Sequence, residues 1–559
     1  MEPSNNTGAG AQGSAPLDVV IVGAGFAGLY AVHKYRGLGF SLRAFEAAPE
    51  PGGTWWWNGY PGARCDVESL DYCYGFDEGL MNEWKWSERF ATQPEILRYV
   101  EHVVERFDLR RDITFNARVT SAVWDDAANL WTVGTSNGER VRTRFLVTAA
   151  GCLSLPNTPN FPGLSGFKGK WCQTSAWPKE GVDLRGKRVA VIGTGSSGIQ
   201  AIPVIAEQAA HLTVFQRTPQ FTLPQVNRPI DPEYEAKVRA DYMAHRQRNL
   251  KNPAGTPRLL IADSAFDLTE EERNAAYEKK WRSGGAGGIS AIFGDCMKNL
   301  AANDTAAEFV RAKIREIVQD PDVAEALSPR DYPIATKRIC IDTDYYATFN
   351  RPNVRLVDMR VTPIEQITPE GIKTPAEEIP FDVIVFATGF DAVTGPLLAM
   401  NIQGVGGRTL KEAWADGPHT YLGLMVAGFP NLLTVTGPGS PSILINVIVA
   451  IEQHVNWIGD TMVHMREHGL SRIETDEAAQ EAWGEEVRDV ANQTLFPLAK
   501  SWYNGDNIEG KPRVFLAYVG GYPTYAERCE KIAKDGYTGF HLSAPGHAPA
   551  REARRTEPA

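Results

Sequence analysis

Two short apolar runs, each followed by a glycine-rich turn and a helical pattern, dominate the distribution of hydrophobic and polar positions. The first run is Leu17–Val22, and it leads directly into the turn 23–28. The second run is 188–192, which leads into the turn 193–198. Short uninterrupted runs rich in β-branched residues are typical of buried parallel strands. The pattern therefore predicts an α/β protein with two Rossmann-like dinucleotide-binding domains.

The rest of the chain divides around these two units. The stretch 231–331 is rich in Glu, Ala, Arg and Lys, which predicts a mainly helical insertion, with a mobile loop at 284–288. Another buried strand is predicted at 381–386. The predicted organisation is a disordered leader at 1–16, a first domain at 17–155 and 386–545, a second domain at 156–230 and 332–385 that carries the insertion 231–331, and a frayed tail at 546–559.

Composition narrows the classes of function. With 43% hydrophobic residues among 559, the chain can bury several cores, and its net charge of −11 argues against a broad nucleic-acid surface. The seven cysteines include no CxxC pair, so neither a zinc ribbon nor a dithiol centre is predicted. No metal site is predicted. A sparse cysteine set and the absence of a signal peptide or a long apolar stretch predict a soluble cytoplasmic protein without a membrane partner.

The first glycine turn has the pattern of a pyrophosphate-binding turn. Its glycines allow the backbone to approach a pyrophosphate at the N-terminus of the following helix. Glu46 follows the next predicted strand, where a ribose-hydroxyl acceptor is expected, although a solvated loop charge is the alternative. A carboxylate there repels a 2′-phosphate, so the site is predicted to prefer FAD or NAD. The residues assigned to this nucleotide are Gly23, Ala24, Gly25, Phe26, Gly28 and Glu46.

The second glycine turn shows the opposite preference. Arg217 and Thr218 follow the predicted strand 212–215, where an NAD site has an acid. A guanidinium there would bind a 2′-phosphate, which predicts NADPH, with a plain surface arginine as the alternative. Two such sites imply a flavin, FAD, that a nicotinamide reduces. The residues assigned to NADPH are Gly193, Thr194, Gly195, Ser196, Ser197, Gly198, Arg217 and Thr218.

Several further segments resemble those of Baeyer–Villiger monooxygenases, the class B flavoprotein monooxygenases, and most closely the group acting on cyclic and aryl ketones. These segments are GGTW at 52–55, YPG at 60–62, FKG and WP within 167–178, TGFD at 388–391, SWY at 501–503, GKPR at 510–513 and YVGG at 518–521. The resemblance runs from about 17 to 543. One position departs from the family pattern, because Gln173 stands where the linker fingerprint has histidine. We expect this change to affect the coupling between domain motion and oxygen transfer.

The resemblance implies an enzyme that uses FAD, NADPH and O2 to convert ketones to esters or lactones through a peroxide on flavin C4a. Sulfides are further candidate substrates, and a monomer or weak dimer is expected. Arg338 would stabilise the peroxide and the tetrahedral oxyanion, and Asp66 would hold Arg338 in place. Lys337 would assist Arg217 on the 2′-phosphate. From sequence alone, the adjacent Lys337 and Arg338 would be interpreted as a solvated pair.

The resemblance also assigns further cofactor contacts. Trp502 would hydrogen-bond near the nicotinamide ribose, with a packed core tryptophan as the alternative. Asn446 and Val447 lie at a predicted helix start, where backbone N–H groups could meet the pyrimidine edge of the flavin. The additional FAD residues are Gly53, Thr54, Trp55, Asp66, Tyr72, Val119 and Val447. The additional NADP residues are Arg64, Gln200, Lys337, Arg338 and Trp502.

Four alternative functions remain open at this point. A related flavin monooxygenase could oxygenate sulfur or nitrogen instead of ketones. A flavin disulfide reductase also has two dinucleotide domains, but the spacing of Cys65 and Cys73 does not provide a redox-active pair. An NADPH oxidase releasing H2O2 would result if Gln173 uncouples the cycle. A non-enzymatic flavin sensor would need neither a complete NADPH site nor Arg338.

Overall fold

The computed structural model describes residues 15–285 and 288–546. Most of the predicted leader, most of the predicted tail, and residues 286–287 of the predicted mobile loop lie outside these ranges. The strands are β1 (Leu17–Val22), β2 (Leu42–Phe45), β3 (Ile113–Thr114), β4 (Val119–Asp125), β5 (Leu130–Thr135), β6 (Arg140–Thr148), β7 (Lys170–Gln173), β8 (Arg188–Ile192), β9 (His211–Gln216), β10 (Thr222–Pro224), β11 (Cys340–Asp342), β12 (Val354–Asp358), β13 (Gln366–Ile367), β14 (Gly371–Lys373), β15 (Glu378–Pro380), β16 (Val383–Phe386), β17 (Asn401–Gln403), β18 (Leu432–Thr434), β19 (Arg472–Thr475) and β20 (Phe540–Ser543).

The α-helices begin mostly at capping residues or at glycine turns. They are α1 (Phe26–Gly37), α2 (Thr54–Trp57), α3 (Glu78–Glu83), α4 (Gln93–Arg106), α5 (Ser196–Gln208), α6 (Pro232–Ala240), α7 (Tyr242–Leu250), α8 (Glu270–Ser283), α9 (Leu300–Ile317), α10 (Pro321–Leu327), α11 (Tyr345–Thr348), α12 (Gly395–Leu398), α13 (Leu410–Ala413), α14 (Val447–Glu467), α15 (Glu477–Asn492) and α16 (Tyr522–Lys534).

The first sheet combines strands from both ends of the chain. Its order is β17-β4-β5-β6-β1-β2-β3, and β18 also pairs with β6. Strands β6, β1, β2 and β3 run parallel, whereas β4, β5 and β6 form an antiparallel meander. Strand β1 is buried between β2 and β6, which explains why it carries almost only apolar residues.

The second sheet is entirely parallel, with the order β12-β9-β8-β16-β7. Its central strands β8, β9 and β16 are nearly continuous apolar runs, as expected for strands covered on both faces. The α/β fold with two Rossmann-like units is therefore confirmed. The carboxyl ends of β1 and β8, where nucleotides bind in such sheets, are both followed by a glycine turn.

The two glycine turns pack in the same way. A Cβ on Gly23 would lie 2.5 Å from the carbonyl oxygen of Ala149, and one on Gly28 would lie 1.9 Å from that of Gly23. In the second unit, a Cβ on Gly193 would lie 2.4 Å from the oxygen of Ala387. Only glycine lets each turn lie so close to the neighbouring strand, and Gly23 and Gly193 also have φ near +105° and +109°.

The helical stretch 231–331 packs against both halves of the molecule. Val238 of α6 and Tyr242 of α7 belong to the hydrophobic core that surrounds α1 and α14. Helices α8, α9 and α10 instead belong to the core that surrounds the second sheet and α5. The segment between α7 and α8 therefore passes from one half of the molecule to the other.

Candidate active site

Glu46 holds the first glycine turn in place through hydrogen bonds. The carboxylate accepts hydrogen bonds from the backbone N–H of Ala24 at 2.7 Å and of Ala48 at 2.8 Å. The residue is only 5% exposed, and burial raises the pKa of its carboxyl. Each oxygen keeps a second lone pair, which a ribose hydroxyl could use. Helix α1 begins beside it with glycine at the cap, so its first N–H groups fit a pyrophosphate.

The segment that follows β2 closes over this turn. A Cβ on Gly53 would lie 2.9 Å from the Cα of Gly25, so the two glycines allow the backbones to cross. Behind them, the Trp55 indole N–H donates to the Tyr72 hydroxyl at 3.1 Å. The ring of Phe26 lies 5.5 Å from that of Tyr72. These residues, with Thr54 at the start of α2, form one continuous wall beside the first turn.

Two other residues assigned to FAD lie apart from this wall. Val119 begins β4 and packs in the core with Val20 and Phe45, so its side chain is part of the sheet packing. Val447 is the first residue of α14 and follows the N-cap Asn446. The Asn446 side chain accepts a hydrogen bond from the Ile448 N–H at 3.1 Å.

The second glycine turn opens toward free space. Among the described residues, no atom lies within 4 Å of the point where a Cβ on Gly195 would sit, so a pyrophosphate could approach α5 there. Thr194 donates to the carbonyl of Thr218 at 3.1 Å, which ties the turn to the end of β9. The Ser196 hydroxyl lies 3.1 Å from the Cys340 sulfur.

Arg217 and Lys337 lie close enough for their positive charges to interact. Arg217 is exposed at the end of β9, and Lys337 lies with its ammonium 4.6 Å from the centre of the Tyr332 ring. Burial, and secondarily the positive charge of Arg217, lower the pKa of Lys337. Two neighbouring cations of this kind fit a 2′-phosphate, which would relieve their repulsion.

Arg338 and Asp66 form an ion pair across the two halves of the chain. The Arg338 Nη2 and Nε atoms both donate to Asp66 Oδ2, at 2.8 Å and 3.2 Å. With side-chain exposures of 35% and 27%, both partners are partly accessible. The Asp66 charge raises the pKa of the guanidinium further above its usual value. Because Asp66 engages one edge only, the Nη1 group of Arg338 remains outside this pair.

Sequence reasoning missed two residues next to this pair. Tyr503 is buried near the Arg338 side chain, and burial raises the pKa of its phenol to about 12 although the positive charge of Arg338 opposes this. Cys340 is buried beside Ser196, and burial raises the pKa of its thiol to about 12. Both groups therefore stay protonated near neutral pH. Tyr503 belongs to the SWY segment, and Cys340 follows Arg338 by two positions. Both are therefore neighbours in the sequence of residues already assigned to the site.

Arg64 and Gln200, both assigned to NADP, contact each other. The Gln200 amide donates to the Arg64 carbonyl at 3.0 Å and accepts from the Tyr60 hydroxyl at 2.8 Å. The Arg64 guanidinium donates to Glu88 at 2.6 Å and to the Phe90 carbonyl at 2.8 Å. These contacts join α5 to the segment that precedes Asp66.

Trp502 lies beside Tyr503, with ring centres 4.3 Å apart, and packs partly buried against Leu516. The structure therefore places Trp502 directly before Tyr503, which is buried near the Arg338 side chain. Its assignment to NADP stays a prediction.

Gln173 lies where the chain crosses between the two sheets. Its amide donates to the Asn157 carbonyl at 3.0 Å, and the Thr388 hydroxyl donates to the same oxygen at 3.0 Å. The Asn157 N–H donates to the Gly389 carbonyl at 2.9 Å. One carbonyl thus joins β7 to both crossing segments.

The cysteines do not form a redox pair. All seven are free thiols at described positions, six of them buried. Burial raises the pKa of Cys73 to about 11 and that of Cys172 to about 12. Within residues 15–285 and 288–546, no group of three His, Cys, Asp or Glu could hold a metal ion. No helix in the same ranges is long and apolar enough to span a bilayer.

Two sheets that each carry a parallel strand followed by a glycine turn, joined by the Arg338–Asp66 ion pair, are typical of an oxidoreductase that binds two dinucleotides. Residues 17–248 match the family model described as pyridine nucleotide-disulphide oxidoreductase. A Baeyer–Villiger monooxygenase of Pseudooceanicola batsensis is 42% identical over 94% of this chain and 96% of that protein. A phenazine N-monooxygenase of Lysobacter antibioticus is 42% identical over 94% of this chain and 97% of that protein.

Solved structures agree with this assignment. A steroid monooxygenase bound to NADP is 51% identical, with a TM-score of 0.91, and the match covers 94% of this chain and 99% of that one. The complex of OTEMO with FAD and NADP is 41% identical, with a TM-score of 0.91, covering 95% of this chain and 100% of that one. The chain belongs to the Baeyer–Villiger monooxygenase family. It is a flavin-dependent monooxygenase that uses FAD and NADP as cofactors.

Proposed function

We propose that the protein inserts one oxygen atom of O2 between the carbonyl carbon and a neighbouring carbon of ketones, giving esters or lactones. The observation that carries this proposal is the Arg338–Asp66 pair, a fixed cation between the two nucleotide-binding halves. We assign FAD to a domain formed by 17–155 and 386–545, and NADPH to one formed by 156–230 and 332–385.

When bound, the cofactors would supply the redox chemistry, with NADPH as the hydride donor and FAD as the group that activates O2. The role we assign to Arg338 is electrostatic. Negative charge develops on the ketone oxygen when the carbonyl carbon becomes tetrahedral, and a fixed guanidinium stabilises that charge. Asp66 holds one edge of Arg338, which leaves Nη1 for the substrate oxygen. Tyr503, which stays protonated near neutral pH, is buried near the same guanidinium.

The experiment mixes the purified yellow protein with NADPH, air, a panel of cyclic and aryl ketones and one thioether. Products and H2O2 are quantified together against the NADPH consumed. We expect ester or lactone in near-stoichiometric yield for at least one ketone. NADPH consumption that gives only H2O2 across the ketone panel would overturn the proposal.

A second candidate is oxygenation of nitrogen or sulfur. The phenazine N-monooxygenase is as similar to this chain as the Baeyer–Villiger monooxygenase, so overall identity does not separate the two activities. Oxygenation of a heteroatom creates no oxyanion at a tetrahedral carbon, so it depends less on Arg338. We expect Arg338→Ala to lose ester formation while keeping sulfoxide formation. Equal loss of both would show that Arg338 acts in a step that the two reactions share.

A further inference from the structure

Helix α7 (Tyr242–Leu250) presents a polar face to the FAD-binding half of the molecule. Tyr242, His245, Arg246 and Asn249 are all buried, and their spacing places them on one side of the helix. Buried polar groups are unfavourable unless they are hydrogen-bonded. This face therefore marks a specific junction rather than simple apolar packing.

The centre of this junction is a cluster of three side chains. His245 Nε2 lies 2.8 Å from Asp71 Oδ1, and the Asn249 amide donates to the same oxygen at 2.8 Å. The side chains of His245 and Asp71 are 10% and 6% exposed. The carboxylate of Asp71 thus receives both hydrogen bonds from α7, and neither partner has a part in the mechanism described above.

Flanking contacts fix α7 on both sides of this cluster. The Tyr242 hydroxyl donates to the Leu70 carbonyl at 2.8 Å and lies 3.1 Å from the Cys73 sulfur. Arg246 forms a buried ion pair with Glu452 of α14. Helix α7 therefore holds segment 70–73 and helix α14 together, although α8–α10 pack with the other half of the molecule.

The hydrogen bonds continue from Asp71 to the start of α14. The Asp71 carbonyl accepts from the Asn446 amide at 2.7 Å. The same Asn446 side chain caps α14 through the Ile448 N–H at 3.1 Å. The backbone N–H of Asn446 donates to the Ala254 carbonyl at 2.9 Å, just beyond the end of α7. The position of the α14 N-terminus is thus set from α7 through Asp71.

We propose that His245, together with Asp71 and Asn249, is a positioning group for FAD. It fixes the N-terminus of α14 and the backbone next to Tyr72, and so orients the N–H groups that meet the pyrimidine edge of the flavin. His245 contacts neither the substrate nor the reacting atoms. The inference rests on the proposed function in that FAD is assigned to the domain that contains α14, and on the predicted contact between the flavin pyrimidine edge and Val447.

The test compares the full-length, FAD-loaded His245→Leu variant with the parent protein. Leucine removes the donor and leaves the Asp71 carboxylate with Asn249 alone, so Asp71 and the α14 cap must shift. We expect FAD to dissociate about tenfold faster, which corresponds to the loss of one hydrogen bond to a charged group. We also expect the midpoint potential of the flavin to change, while the KM for NADPH stays constant.

Two further variants make the outcome specific. His245→Gln restores an amide donor and should return the FAD dissociation rate toward the parent value. His419→Leu breaks a comparable histidine–aspartate pair, His419 with Asp416 at 3.1 Å, on an exposed turn, and should leave dissociation unchanged. If His245→Leu does not fold, Asn249→Ser removes the second donor to the same carboxylate and should act in the same direction.

A purely structural role predicts a different result. His245→Leu would then lower the thermal midpoint, yet the FAD dissociation rate and the midpoint potential of the folded variant would match the parent protein. That result overturns the inference, as does equal acceleration in His419→Leu. FAD dissociation is measured without any ketone, so failure to form an ester leaves this test intact.

Discussion

At the scale of the residue, the reactivity of Arg338 depends on groups that are distant in the sequence. Asp66 comes from the segment after α2, and Tyr503 comes from the loop before α16. An arginine in solution would have its five donors hydrated and its side chain free to rotate. Here one edge is bound by Asp66, so the remaining donors point in a fixed direction.

We expect Arg338→Ala to reduce ester formation by about a hundredfold or more, the magnitude typical for loss of an oxyanion-stabilising donor. Ester and NADPH consumption are measured in the same assay. Arg330→Ala, which breaks an exposed ion pair with Glu325, is the matched control and should retain full activity. Equal ester yield from both variants would show that Arg338 does not stabilise the developing charge.

Cofactor selectivity is also decided by single residues. We expect Arg217→Ala to raise the KM for NADPH about tenfold or more, because a 2′-phosphate would lose a charge-assisted partner. The KM for NADH should change little, since NADH has no phosphate at that position. Steady-state kinetics with both nucleotides measure the effect, and Arg185→Ala, an exposed pair with Asp183, is the control. An equal rise in both KM values would place the phosphate elsewhere.

At the scale of the element, the two chain segments that connect the sheets are held by one shared hydrogen-bond acceptor. Gln173 at the end of β7 and Thr388 after β16 both donate to the Asn157 carbonyl. Asn157 lies in the first crossing between the sheets and Thr388 lies in the second. The amide of glutamine provides this bond without a titratable group.

We expect Gln173→Leu to raise the H2O2 formed per NADPH, because the crossing segments lose a bond that fixes the relative position of the two halves. Gln173→His should bring H2O2 release back to the parent level or below, since the imidazole N–H can donate to the same carbonyl. Lys170→Ala, exposed on the same strand, serves as the control. If Gln173→Leu formed the same amount of H2O2 per NADPH as the parent protein, this hydrogen bond would have no part in coupling NADPH consumption to oxygen transfer.

Strand β11 ends in a buried carboxyl that makes stability depend on pH. Asp342 accepts hydrogen bonds from Thr222 of β10 and from the Tyr345 N–H at 2.8 Å. Burial raises its pKa from 3.8 to about 6. Because the pKa of the folded state is the higher one, the stabilising contribution is complete below the unfolded value and is lost as pH rises through about 6.

We expect the loss of thermal stability caused by Asp342→Asn, compared with the parent protein, to become smaller as the pH rises from about 5 to about 7.5. The full titration corresponds to about 3 kcal/mol of unfolding free energy. Thermal midpoints of both proteins at each pH measure the trend. In Asp382→Asn the difference should stay nearly constant over this range, because hydrogen bonds from Arg188 lower the pKa of Asp382 to about 2. A flat difference for Asp342→Asn would contradict the assignment.

At the scale of the whole molecule, the helical stretch 231–331 is shared between the two halves. In the connection 251–264, Leu259 and Leu260 directly follow Arg258 and are 52% and 47% exposed. A segment with exposed side chains and few backbone hydrogen bonds is the first to open for a protease. The packing on either side holds the molecule together independently of this connection.

Among the sites in residues 15–285 and 288–546, we therefore expect limited trypsin treatment to cut first after Arg258, and the two large fragments to remain associated. Gel electrophoresis followed by size-exclusion chromatography checks both statements. Arg258→Gln should remove the early cut. Fragments that separate under native conditions would show that the connection itself holds the two halves together.

The sequence predicted the parts of the fold that repeat a local pattern. The strands before both glycine turns and the helices after them follow from runs of apolar residues and from close glycine packing. The division of the insertion does not follow from local pattern, because α7 and α8 are both mainly polar and their packing partners lie far away in the sequence. Tyr503 was missed because a tyrosine in a conserved-looking segment does not show which distant side chain it will contact.

The isolation of the seven thiols bears on how long such a catalyst survives. A monooxygenase whose cycle is interrupted releases H2O2 beside its own polypeptide, and oxidation of cysteine requires the thiolate form. Burial raises the pKa of each thiol, to about 11 for Cys152 and to about 12 for Cys296 and Cys529. Almost none of the thiolate exists at neutral pH, so the protein offers its own by-product little to attack.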